Sequence, residues 1–179
     1  MRQAQHLVLD RNSIVGNGAS QFGGSSYSSG GGVGVRDVPS IEFNQNTITG
    51  NFAAAGGGGV SVWLWYVSGT CSFVGNTING NSTSGGYDAD GGGGVFLDFS
   101  REAGNYNVIL EGNSFLANSC LYNGGAVRAR IRNPGPQPVF VVRGNKAQGN
   151  RAATGGGFSL GVGSLGSVVM DNNMVVSNS

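Results

Sequence analysis

Residues 41–51 read Ile41-Glu42-Phe43-Asn44-Gln45-Asn46-Thr47-Ile48-Thr49-Gly50-Asn51, two asparagines five apart with apolar residues at alternate positions around the first. The same frame recurs along the whole chain, with its asparagine pairs at Asn12/Asn17, Asn46/Asn51, Asn76/Asn81, Asn113/Asn118, Asn145/Asn150 and Asn173/Asn178. The leading members lie 28 to 37 residues apart, a period that marks an array of stacked units. Five and three residues before each leading asparagine stand Leu7/Leu9, Ile41/Phe43, Cys71/Phe73, Val108/Leu110, Phe140/Val142 and Val168/Met170. Two residues after it stand Ile14, Ile48, Ile78, Phe115, Ala147 and Val175. Alternation of this kind buries one face of a short strand, and here it keeps the same phase in every copy.

A second strand opens on glycine: Gly30-Gly31-Gly32-Val33, Gly56-Gly57-Gly58-Gly59-Val60, Gly91-Gly92-Gly93-Gly94-Val95, Gly124-Gly125-Ala126-Val127 and Gly155-Gly156-Gly157-Phe158. Short strands, no helical period and a hydrophobic interior that one coil cannot bury alone define a solenoid whose coils stack strand on strand. The expected fold is an all-β, right-handed parallel β-helix of about five to six coils with three short strands in each. Asparagine repeated at a corner suits it, because the amide can bond its own backbone and the amides above and below. The glycine runs supply turns at positive φ and close backbone approach.

Composition agrees. The 179 residues include 35 glycines, and 10 basic against 9 acidic side chains leave no polyanion-attracting field, so no nucleic-acid partner is expected. No cofactor is implied. The most apolar stretch, Val60 to Val67, is interrupted by Ser61 and reads as a strand, so no membrane insertion is expected. Residues 1–179 read as a single parallel β-helix, expected to be a segment of a longer solenoid or to dock end to end in an assembly, since open terminal coils invite pairing. Cys71 falls in the inward column of Leu7 and Ile41, and Cys120 in a small-residue column with Ala19, Ala53, Thr83 and Ala152, which favours two buried free thiols over a disulfide. Asn81-Ser82-Thr83 is a formal glycosylation sequon at a ladder position.

The unit resembles the repeat of the polymorphic outer membrane proteins of chlamydiae, whose signatures are Phe-x-x-Asn and Gly-Gly-Ala-hydrophobic. Phe43-Asn44-Gln45-Asn46 and Phe73-Val74-Gly75-Asn76 match the first, and Gly124-Gly125-Ala126-Val127 the second. Elsewhere Leu9, Leu110, Val142 and Met170 replace the phenylalanine, and glycine replaces the alanine. The resemblance spans nearly all of the chain and implies a pectin-lyase-like β-helix in a secreted or cell-surface adhesin.

Where the repeats disagree, function becomes visible. The outward positions of the glycine-led strand read Gly34/Arg36/Val38, Ser61/Trp63/Trp65, Phe96/Asp98/Ser100, Arg128/Arg130/Arg132 and Ser159/Gly161/Gly163. Stacking in register would crowd Trp63, Trp65, Phe96, Asp98, Arg128, Arg130 and Arg132 onto one face. Indoles and arginines are the residues of contact surfaces, so the expectation is a noncatalytic structural or adhesion module that engages a protein partner or neighbouring subunits there or at its ends. Glycan contact, or cover of the indoles by residues 100–107 or 133–138, are the competing readings.

Polysaccharide lyases and hydrolases also use β-helices, but they require clustered acids and bases. The outward column two before each leading asparagine reads Asp10, Asn44, Val74, Glu111, Arg143 and Asp171, so its acids are spread over whole coils. Asp98 beside Arg128 and Arg130 is the nearest approach to such a site, and His6 stands in the first unit. Tyr87-Asp88-Ala89-Asp90 offers too few oxygens for calcium and reads as a solvated turn. An ice-binding face would need a hydroxyl row, and the row Ser13, Thr47, Thr77, Ser114 ends in Lys146 and Met174.

Overall fold

The computed structural model describes residues 5–20, 29–84, 91–99, 106–132, 139–163 and 166–179. The residues around Asn46 form two strands, Ser40–Asn44 and Thr47–Thr49, and each joins a six-stranded, all-parallel sheet. Sheet A stacks His6–Asp10, Ser40–Asn44, Gly69–Val74, Tyr106–Glu111, Val139–Arg143 and Ser167–Asp171 in chain order. Sheet B stacks Ser13–Val15, Thr47–Thr49, Thr77–Asn79, Ser114–Leu116, Lys146–Gln148 and Met174–Val176. The glycine-led strands Val33–Arg36, Val60–Trp63, Val95–Phe99, Val127–Ile131 and Phe158–Val162 form sheet D. Two-residue strands at Gly18–Ala19, Phe52–Ala53, Ser82–Thr83 and Ser119–Cys120 make a narrow sheet C. The chain is an all-β parallel solenoid.

Register follows the sequence columns. Leu7, Ile41, Cys71, Val108, Phe140 and Val168 pair one on the next through sheet A, and Ile14, Ile48, Ile78, Phe115, Ala147 and Val175 do so through sheet B. A parallel sheet puts like on like, so apolar columns become continuous core ladders. The rings of Phe43 and Phe73 stack at 4.5 Å, and those of Phe99 and Tyr106 at 5.2 Å. On the last strands the inward column is open, and Val168, Met170 and Val175 are exposed beside Phe158 and Leu160.

Two asparagine ladders hold the corners. Along Asn12, Asn46, Asn76, Asn113, Asn145 and Asn173, each backbone N–H and each Nδ2 donates to the Oδ1 of the next asparagine at 2.9–3.0 Å. The other Nδ2 hydrogen returns to a carbonyl of the preceding coil, as from Asn76 to Phe43 and from Asn113 to Phe73, both at 2.8 Å. The ladder Asn17, Asn51, Asn81, Asn118, Asn150 and Asn178 repeats the scheme at 2.8–3.1 Å. Asparagine alone among uncharged side chains of this size offers two N–H donors and a two-lone-pair acceptor on one planar group, so every interior rung is satisfied without water. Both donors of Asn81 are consumed in this way and the residue is fully buried, which leaves the sequon no free amide in the folded chain.

The residue before each ladder asparagine is left-handed in every copy. Glycine fills the position at Gly16, Gly50, Gly75, Gly80, Gly112, Gly144 and Gly149, whereas Arg11, Gln45, Ala117, Asn172 and Ser177 take it with φ of 49–54°. The glycine runs have a different reason. A Cβ on Gly93 would fall inside the carbonyl of Ser119 in the next coil, so two backbones meet there at a separation no side chain permits.

Candidate functional site

Sheet D carries the site, and its register brings the divergent residues together. Trp63 lies opposite Arg36 and Asp98, Phe96 opposite Ser61 and Arg128, and Asp98 opposite Arg130. Beyond Arg128 and Arg130 come Ser159 and Gly161. Period-two alternation sends Val60, Val62, Val95, Leu97, Val127, Ala129 and Ile131 inward to the core and these residues outward.

The outward residues form a second packed layer. Trp63 meets Phe96 at 5.0 Å and 64° and Trp65 at 5.0 Å and 89°, the edge-to-face arrangement that aromatic quadrupoles favour. The Arg36 guanidinium lies 5.0 Å over the Trp65 ring, and that of Arg130 lies 5.3 Å over Phe96. Arg130 also donates from an Nη to Asp98 Oδ2 at 2.6 Å. Asp37 Oδ1 accepts the backbone N–H groups of Trp65 at 2.8 Å and Tyr66 at 3.1 Å, which anchors the turn that presents the second indole. Phe96 lies against Gly56, where a Cβ would press on its ring.

Of the seven residues expected to share this face, Trp63, Phe96, Asp98 and Arg130 are buried, at 5%, 0%, 1% and 9% exposure. Trp65 and Arg128 are half-buried, and Arg132 is exposed. The accessible part of the site is therefore a cationic rim of Arg36, Arg128 and Arg132 around a buried aromatic and ionic centre. Arg128 donates to Ser159 Oγ at 2.8 Å, and its Nε is buried without a hydrogen-bond partner. Desolvation, then repulsion from Arg130 and Arg132, hold its pKa below the ordinary guanidinium range, with Asp98 opposing them.

Arg36 and Asp37 belong to the site and were not among the expected residues. The signal for Arg36 was present, since it occupies the outward column in register with Trp63. Asp37 had none, because it acts from a turn at φ 52° where strand periodicity ends.

Other candidate chemistry is dispersed. Asp10, Asn44, Val74, Glu111, Arg143 and Asp171 align as one outward column, in which Glu111 and Arg143 pair at 3.0 Å. His6 Nε2 lies 3.0 Å from Glu42 on the exposed face of sheet A. Cys71 and Cys120 are buried thiols that form no disulfide, and burial drives the Cys71 pKa far above the usual thiol range. Among the described residues, no group of three or more His, Cys, Asp or Glu side chains could hold a metal, and no helix is long and apolar enough to cross a membrane. The Tyr87 to Asp90 turn and residues 100–105 and 133–138 lie outside the described residues.

Comparison with known proteins finds no matching family model, no curated relative and no solved structure. The class of the protein thus rests on its own geometry, a parallel β-solenoid closed by asparagine ladders.

Proposed function

We propose that the chain is a noncatalytic structural and adhesion module of a secreted or cell-surface protein, which engages a protein partner through the rim of sheet D. We take the solenoid to be right-handed, with about five to six coils, on the pattern of the polymorphic outer membrane protein repeat. The observation that carries this reading is the contrast within each coil: the repeat conserves corners and core, and departs from itself on the outer face of sheet D, where indoles and guanidiniums converge. The aromatic and arginine side chains that stay accessible there, Trp65, Arg36, Arg128 and Arg132, are of the types that anchor protein contact sites.

Polysaccharide binding or cleavage is weighed against by burial. The Trp63 faces are occupied by neighbouring rings, and Asp98, the acid best placed for lyase chemistry, is shut in with Arg130. The test is binding of the immobilised protein to a panel of extracellular-matrix proteins and acidic polysaccharides, with product analysis. Saturable binding to a protein, weakened about tenfold or more by Trp65→Ala, is expected. Release of oligosaccharides that Asp98→Asn abolishes would replace this reading with an enzymatic one.

A further inference from the structure

Arg128, Arg130 and Arg132 occupy alternate positions on one strand and its continuation, so they rise from one face at intervals of about 6.6 Å. Three like charges at that spacing repel one another, and outside counter-charge would relieve them. Asp98 supplies it to Arg130, whereas among the described residues no carboxylate pairs with Arg128 or Arg132. Beside this row runs the strand Phe158–Val162, whose outward residues Ser159 and Gly161 are small. Among the described residues, a Cβ added to Gly161 would meet nothing closer than Ala129 O at 3.9 Å, while Arg128 reaches across to Ser159 Oγ. The arginine row thus stands between this low strand on one side and the packed layer of Phe96 and Asp98 on the other.

We propose that this arginine row binds an extended acidic peptide segment whose carboxylates stand at alternate positions, laid beside Gly161 with two of its acids on Arg128 and Arg132. The inference deepens the reading of sheet D as a protein-contact face and rests on it. An extended chain repeats its side chains on one face every two residues, so its spacing equals that of the arginine row. Each guanidinium can meet a carboxylate with N–H donors, and in Arg128 these are on the Nη groups, because Nε is buried. Low dielectric at a half-buried arginine strengthens the pair relative to one in bulk water. A peptide is favoured over an acidic glycan because the arginine spacing is the two-residue repeat of an extended chain, and the covered Trp63 ring offers a sugar no stacking surface.

Two synthetic heptapeptides of identical composition, four serines and three glutamates, test the proposal: one alternates the residues and the other places the glutamates together. Titration followed by calorimetry is expected to show the alternating peptide binding about fivefold or more tighter than its isomer, with affinity falling as salt rises. Arg128→Gln with Arg132→Gln is expected to reduce that affinity about tenfold or more at an unchanged melting temperature. Equal binding of the isomers, undiminished binding by the double variant, or tighter binding of polygalacturonate would overturn the proposal. Failure of both peptides while Trp65→Ala still abolishes binding of a matrix protein overturns this inference alone; indifference of matrix-protein binding to Trp65→Ala overturns the contact-face reading beneath it.

Discussion

Gly69–Val74 in sheet A and Val95–Phe99 in sheet D belong to the same stack, yet they are buried differently. The first alternates between buried and accessible residues, and the second is buried at all five positions. Both owe their inward residues to the repeat. The outward residues of sheet A face solvent, with Val8, Val74 and Val169 exposed, whereas those of sheet D pack into rings and an ion pair. A solenoid strand thus has one face prescribed by its neighbours above and below and one left free, and sheet D has used that freedom to build a second layer.

The largest effect is expected where both regions depend on the same corner. Asn113→Ala strands the backbone N–H and one Nδ2 hydrogen of Asn76 in the interior, and should cost about 4 kcal/mol or prevent folding, read by urea denaturation. The two outer faces then separate. Phe96→Ala should cost about 3 kcal/mol, as for a core phenylalanine, while Val74→Ala on the outer face of sheet A should stay within about 0.5 kcal/mol. Equal, small losses would break the distinction between the faces.

The inward column of sheet A carries a titratable probe. Burial raises the Cys71 pKa in the fold, so the folded state holds the thiol proton more tightly than the unfolded state. Its contribution is fully present below the unfolded thiol pKa near about 8.5 and is lost as pH rises above it, at up to about 1.4 kcal/mol per pH unit. Denaturation between pH 8 and 9.5 should show this slope, and Cys71→Val should remove it. A further small effect concerns the corners. Ala117→Gly relieves a left-handed alanine at φ 49° and should stabilise by roughly 0.5–1 kcal/mol, leaving the contrast between the faces unchanged.

Register was legible because it depends on repetition. The columns headed by Leu7 and Ile14 could be aligned from asparagine to asparagine, and the same alignment separated Cys71 from Cys120 and assembled Trp63, Phe96, Asp98 and Arg130 on one face. Burial of that face was not legible. Trp63 and Val74 both read as outward residues, and alternation has no sign that tells a covered outer face from a bare one. Asp37 acts from a turn where no period operates, and Trp65, under the Arg36 guanidinium, stands beyond the paired strand Val60–Trp63.

By itself the sequence determined the coil: where it turns, which side chains enter the core and which residues stack on which. These follow from local alternation and from a repeat that places each unit on its own likeness, so one coil predicts the next. Only the tertiary structure decided that the outer face of sheet D is a second interior with a cationic rim, because that depends on contacts among side chains that occur once. The left-handed turns at Arg11, Gln45, Ala117, Asn172 and Ser177 were decided there too: the asparagine ladders fix each corner's path, and residues without glycine's freedom follow it.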